Sequence, residues 1–324
     1  MCEACQHITI NKVTAYTSVN RRKLDPTRTT VLRETFAREM RRRFDALLKE
    51  IVVAIVKQDV FGLKEPTVNI APRAFAFPTS QQKIDGFMEW LRQRQDYNIL
   101  QYNRLPGGRA ALQPQWTDIF ITDSYKRGIN RGRYEMGKAG WEVPKMADTG
   151  GINASLFQPF HADRVGILYS RTFNGLKGIT DAMDLQVSNV LAQGLIDGDA
   201  PVTLARKMRA VITGSGMGDL GITDTLGRFI PAKRRAEMLA RTEIIRAHHQ
   251  ATIQEYKHWG AYGVKVQAEW STAGYNVCPE CEALQGKVFS LDVIQGMIPL
   301  HPNCRCMALP ILKKDADVAK KEIN

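Results

Sequence analysis

Four cysteines and a histidine gather near one end of this sequence. Cys278 and Cys281 stand in "NVCPECEAL", and His301, Cys304 and Cys306 stand in "HPNCRC". Thiolates and a neutral imidazole are the donors that zinc prefers. A C-x2-C pair, a loop over 282–300 and a second close-set pair match the spacing of a zinc site. Tetrahedral zinc takes four ligands, and five are offered here. Spacing leaves two closing pairs open, His301 with Cys304 or Cys304 with Cys306. A thiolate-rich set with no open position points to structural rather than catalytic zinc. The competing reading is reduced cysteines packed as small hydrophobes beside a hairpin. Arg305, between two of the cysteines, is expected to point away from the ligand side, toward backbone or the Glu243 region. A second C-x2-C opens the chain in "MCEACQH", where Cys2, Cys5 and His7 have no further pair to complete a site.

The elements that must position these donors are legible upstream. "PAKRRAEMLARTEIIRAHHQATIQEYKHWGAYG" begins at Pro231, keeps the helical period for over six turns and stops at Gly260. One face carries Met238, Thr242, Ile245, His249, Thr252, Tyr256 and Trp259. Polar groups on a buried stripe need partners. Thr242 and His249, with Arg241, Glu243 and Arg305, are therefore read as a structural polar network tying the helix to the module that follows. A catalytic reading of Glu243 and the histidines is weaker, because no nucleophile pairs with them by spacing. "VKVQAEWST" then alternates like a strand, with Val264, Val266, Ala268 and Trp270 on one face.

The rest of the chain reads as helices. A first helix spans "TRTTVLRETFAREMRRRFDALLKEIVVAIVKQDVFG", capped by Thr29 or Thr30 and ended by Gly62. Residues 64–78 form a proline-rich linker. A second helix follows Thr79 or Ser80, and 104–116 breaks the chain again. Residues 117–139 read as a helix despite three glycines, 140–155 as a glycine-broken polar stretch, and 161–194 as a pair of helices. Gly198 and Asp199 make a turn before a helix opened by Pro201. "GSGMGDLG" at 214–221 contains a formal G-x-G-x-x-G, but a helix precedes it, so it is a loop and not a dinucleotide site. The expected fold is mainly α with a small α+β C-terminal module. The expected regions are an N-terminal helical arm (1–63), a helical middle with Pro/Gly-rich linkers (64–155), a further helical region (156–230), the C-terminal module (231–312) and a charged tail (313–324).

The chain has 324 residues, is 44% apolar and 24% charged, and carries a net charge of +12. Such a composition fits a folded protein, and such a charge suggests contact with a polyanion. Three basic clusters are the candidate nucleic-acid contacts: Arg21, Arg22 and Lys23; Arg41, Arg42 and Arg43; Lys126, Arg127, Arg131 and Arg133. The opening residues lack a secretory pattern, and the longest aliphatic run, "IVVAIV", is too short for a membrane span. A soluble protein made in a reducing compartment is expected, where clustered cysteines favour metal over disulfides. An enzyme is disfavoured by the lack of an acidic metal cluster, a nucleophile elbow or a credible phosphate loop.

The run from the "RTE" helix through Trp270-Ser271-Thr272 and "CPEC…LQGKVF" to "HPNCRC…P" resembles the phage head morphogenesis domain of the phage Mu F-like minor head proteins. The resemblance covers Arg235 to Pro310, and "GLIDGDAPVTLARKMR" is similar to the helical region usually upstream in that family. Members often carry an aspartate followed by a basic residue shortly before the knuckle, where this chain has Tyr275 and Asn276. Some members lack a cysteine at the position of Cys278, so that ligand is the least secure by resemblance. The resemblance implies a minor head protein of a tailed phage or prophage. Its partners would be the portal and the capsid or scaffold proteins, with double-stranded DNA held by non-specific phosphate contacts. It would sit in the host cytoplasm during assembly and then in the virion head. The alternative is a zinc-containing DNA-binding or assembly accessory protein that never enters a virion.

Overall fold

A buried carboxylate starts the first helix. Asp25 accepts hydrogen bonds from the backbone of Thr27 and Thr29, both 3.1 Å, from the hydroxyls of Thr27 at 2.7 Å and Thr30 at 2.6 Å, and from the Arg33 guanidinium at 2.7 Å. Burial alone would raise this carboxyl. The Arg33 charge and the Thr30 and Thr27 hydroxyls outweigh it and hold the pKa below the ordinary value. Helix α1, Thr30–Val52, follows and widens into a π-helical turn, Val53–Lys57. Gly62, at φ 67°, supplies the left-handed residue that closes the segment.

The computed structural model describes residues 25–63, 79–101, 115–214, 229–274 and 276–313. The proline-rich linker, the break at 104–114, the G-x-G-x-x-G loop from 215 onward, Cys2, Cys5, His7, Arg21, Arg22, Lys23 and the charged tail from 314 lie outside them.

Helix α2, Ser80–Gln95, is capped by Thr79, whose hydroxyl accepts from the Gln82 amide at 3.3 Å. Helix α3 is Asp118–Lys138. The polar stretch after it is not wholly irregular. It holds a 3-10 turn, Met146–Thr149, and a short helix α4, Gly151–Leu156. The expected pair of helices over 161–194 is a single helix α5, Pro159–Ile196, of 38 residues. Its apolar period runs unbroken through Leu168, Leu176, Ile179, Met183 and Val187, all buried. The turn-type pair Asn174-Gly175 inside this stretch does not end the helix. Helix α6, Pro201–Thr213, has proline in its first turn and ends on Gly214 at φ 79°. Helix α7 is Ala232–Gly260.

The sheet lies near the C-terminus. Its central strand β1, Lys265–Ser271, pairs antiparallel with β2, Val288–Ser290, and with β3, Met307–Lys313. The registers include Ala268↔Phe289 and Ala268↔Pro310. Two short helices join the strands, α8, Pro279–Glu282, and α9, Leu291–Met297. No helix of the described residues is long and apolar enough to cross a membrane.

The described chain divides into two compact units built from non-contiguous segments. One comprises the residues up to Phe36, Thr117–Thr172 and those from Ala240 onward; the other comprises Ala37–Trp116 and Phe173–Leu239. The second unit is helical, with Phe44, Leu47, Phe87, Leu91, Met183, Leu191 and Met208 among its buried residues. In the first unit, α3 lies directly on α7. A Cβ added to Gly128 would stand 2.3 Å from the His248 carbonyl oxygen, and one on Gly132 would stand 2.7 Å from the Glu255 Cβ. Here the glycines that weaken α3 in isolation permit the close approach. Ser124 donates to the Ile244 carbonyl at 2.7 Å and Thr252 to the Gly128 carbonyl at 3.2 Å across the same contact.

Candidate metal centre

Two tight turns carry the donors. Cys278 caps the single turn of α8, and its sulfur accepts from the Cys281 amide at 3.4 Å. The second turn closes with the Cys304 amide donating to the His301 carbonyl at 3.1 Å, and Cys306 precedes β3 directly. All four cysteines are buried and none is in a disulfide. The His301 Nε2 lies 3.2 Å from the Cys278 sulfur and 3.1 Å from the Cys281 sulfur. Two donor groups result, Cys278–Cys281–His301 and Cys281–Cys304–Cys306, each with its atoms within 4.8 Å of one another. Cys281 belongs to both groups.

Thermodynamic crowding follows from this geometry. A hydrogen bond from the Cys281 thiol, and then one from Cys306, draws the Cys304 pKa down to about 2 against the burial that would raise it. Cys281, whose proton makes the bond to Cys304, is pushed well up. Cys306 is lowered by its bond to Cys281, but its bond to Cys304 and its burial prevail and push it up to about 12. Among these three thiols Cys304 is the one most favoured as a thiolate. A dication would stabilise several thiolates at once.

The surroundings fit such an ion. The His301 Nδ1 lies 2.9 Å from the Pro302 carbonyl and donates to it, which leaves the Nε2 lone pair directed at the two sulfurs. That is the second-shell arrangement of a ligating histidine. The buried indole nitrogen of Trp270, in the same core as Cys306, has no hydrogen-bond partner among the described residues. The edges of a tetrahedron with zinc bond lengths of about 2.0–2.3 Å measure roughly 3.5–3.8 Å, so a four-ligand site requires the two three-donor groups to draw together around Cys281. This Cys/His cluster has the donors and the closeness to hold a metal ion.

Helix α7 holds the module from below through side chains that reach its backbone. The Asn303 amide, in a left-handed turn at φ 62°, donates to the Thr242 hydroxyl at 3.1 Å. His249 donates to the Ile294 carbonyl at 2.9 Å, Gln250 to Gln295 at 2.8 Å and Tyr256 to Ala308 at 3.0 Å. Burial lowers the His249 pKa to about 4, partly offset by that bond to Ile294. Glu243 is oriented elsewhere, toward Arg171 at 3.3 Å and Arg246 at 3.2 Å. Arg305 donates to the Asn276 carbonyl at 3.0 Å, the backbone option of its expected partners. Thr242 and His249 thus meet the module, while Glu243 does not join them there. Arg241 also takes part in interactions. Beneath the cluster, Trp270, Ala268, Ile294 and Ile298 share one buried core with Ile245 and Ile253 of α7.

A second buried polar cluster in the same unit has no counterpart in the sequence reading. His161 Nε2 lies 3.1 Å from Glu255 and its Nδ1 3.0 Å from the Tyr125 hydroxyl. The Trp259 indole donates to the other Glu255 oxygen at 2.6 Å, and Arg133 stands 3.6 Å from that same oxygen. Only Glu255 and Trp259 are related by helical spacing. The other partners lie far apart in sequence.

The basic clusters divide by burial. Arg42 is exposed and bidentate on Glu39, Arg41 reaches Glu237 at 3.0 Å, and Arg127 is exposed beside Asp123. Lys126 is partly exposed. Arg43 instead sits 4.0 Å over the Trp116 ring and donates to the Asn98 carbonyl at 2.9 Å. Arg131 pairs with Glu135 at 2.6 Å, and Arg133 faces Glu255. These three arginines are turned inward, a distinction that counting charge along the chain does not make.

Residues 185–309 match the family model described as Phage Mu protein F like protein. The match begins in the second half of α5 and runs through α6, α7, the knuckle and both turns of the Cys/His cluster into β3. No curated protein and no solved structure matches the chain.

Proposed function

We propose that this chain, which carries a phage Mu protein F-like domain over residues 185–309, is a minor head protein of a tailed phage or prophage that acts in head morphogenesis. The observation that carries the reading is that the family match and the buried Cys/His cluster fall on the same module. The family match supports a structural rather than a catalytic role.

Zinc is the proposed resident ion, held by four of Cys278, Cys281, His301, Cys304 and Cys306. It would supply charge compensation for the thiolates and tie the two turns together. The chain's own residues do the remainder: Pro302 orients His301, and α7 fixes the module through Thr242 and His249. The proposed partners are the portal and the capsid or scaffold proteins, with the virion head as destination after assembly in the host cytoplasm. Packaged double-stranded DNA is the proposed polyanion. Arg41, Arg42, Lys126 and Arg127, the outward members of their clusters, would make sequence-independent, salt-sensitive phosphate contacts.

Quantitative mass spectrometry of purified heads and mature virions tests the role. A few copies per particle are expected. Absence from both, with the protein abundant in the lysate, would favour the soluble accessory protein instead.

A further inference from the structure

An aromatic cleft lies in the first unit, away from the cysteines. It encloses about 560 Å³ and is lined by Trp141, His258, Trp259 and Tyr262, with Arg133 and Pro144 among its other walls. The rings form a contiguous set. His258 meets Trp259 at 4.8 Å and Tyr262 at 5.5 Å between centroids, and Trp259 meets Tyr262 at 5.8 Å. The Arg133 guanidinium stands 5.1 Å over the Trp259 ring. Tyr262 is 65% exposed, so this surface is open to solvent.

A second cleft of similar volume shares Arg133 and Pro144 with the first. Its lining includes Lys138, Lys145 and Tyr134. Lys138 and Lys145 are exposed, and among the described residues no carboxylate pairs with either. One acid, Glu142, lines the aromatic cleft. The buried Glu255 behind it is already occupied by His161, Trp259 and Arg133.

An exposed ring, Tyr262, on an aromatic wall beside two cations without carboxylate partners among the described residues forms the arrangement that takes an unstacked base together with its neighbouring phosphate. A duplex keeps its base faces covered and could use only the cations. An apolar or proline-rich peptide would use the rings and leave Lys138 and Lys145 without a role. We propose that this double cleft binds single-stranded nucleic acid, with a base in the aromatic part and the adjoining phosphate on Lys138 and Lys145. The site is separate from the proposed head role and from the outward arginines assigned to duplex DNA.

The test is fluorescence anisotropy on the full chain with a labelled oligothymidylate of roughly a dozen nucleotides and a duplex of equal length. Tyr262→Ala is the principal variant, because its exposed ring can be removed without opening the core. Base–aromatic stacking sets the expected loss for the strand at about fivefold to a hundredfold, with duplex affinity unchanged. Removing Lys138 and Lys145 together should weaken strand binding and flatten its salt dependence. Three results would overturn the proposal. Tyr262→Ala could leave strand binding unchanged or weaken strand and duplex alike. Free thymidine monophosphate could compete as well as the strand does. A proline-rich peptide could bind in a Tyr262-dependent manner while the strand does not bind. Particle composition does not enter this test, so its failure is distinct from failure of the head assignment.

Discussion

Two buried polar clusters in one compact unit solve the same problem in opposite ways. Around Glu255, each oxygen of the carboxylate meets a donor, His161 on one side and Trp259 on the other, and Arg133 supplies the opposing charge. His161 in turn accepts from Tyr125. Both carboxylate oxygens are thus met within the protein, while the Arg133 Nε stays an ion-pair partner without a hydrogen bond of its own among the described residues. Around Cys281 stand Cys278 and His301 in one donor group and Cys304 and Cys306 in the other, all soft ligands. The lesson is that burial alone does not identify a site. A buried carboxylate with a donor on each oxygen and an opposing charge is structural, whereas clustered soft donors within a few ångströms of one another fit an ion.

Substitutions can break or sharpen that contrast. The largest effect is expected from Cys281→Ser. This residue belongs to both donor groups, so its loss should lower the metal content well below one equivalent. It should also remove the cooperative unfolding of the module, since structural zinc contributes on the order of 10 kcal/mol in small zinc modules. Serine at Cys278 or Cys306 sharpens the ligand assignment. If one of the five donors is spare, the variant at that position keeps its zinc. Glu255→Gln comes next. It leaves Arg133 buried without its charge partner and should cost about 3–5 kcal/mol in denaturant melts. That cost should be equal with and without chelator, whereas the cost of Cys281→Ser should vanish once the metal is stripped. The smallest effect is expected from Gly128→Ala. Its Cβ would meet the His248 backbone oxygen, which cannot rotate away. Overpacking costs about 1–3 kcal/mol, of which roughly 1 kcal/mol returns as helix propensity. A stabilised Gly128→Ala protein would contradict the close contact of α3 with α7.

The parts of this account that follow local rules were legible in the sequence. Pro231 and Gly260 bracket α7 within a residue, Thr79 caps α2, and the ligand spacing marks the module before any coordinate is known. The resemblance to the Mu F-like proteins rests on that same spacing. What escaped depends on distant partners. Helix α5 runs through positions where two helices were expected: no proline interrupts it after Pro159, and burial of Leu176, Ile179 and Met183 overrides the Asn174-Gly175 turn signal. Asp25 collects five donors from a segment too polar to suggest a core residue. Arg131 and Arg133 read as surface charge, yet their partners Glu135 and Glu255 draw them inward. Helical period could place Glu135 beside Arg131. Nothing local could place Glu255 beside Arg133 or His161.

The most direct measurement is elemental analysis of the purified full chain, followed by thermal melts with and without a strong chelator. The account predicts about one equivalent of zinc per chain. It also predicts selective loss of structure over residues 264–313 when the ion is removed, while the Glu255 cluster persists, read by hydrogen exchange. Protein that carries no metal, and whose melting and exchange are unchanged by chelator, would show that the five donors are packed thiols and imidazole and would contradict the account.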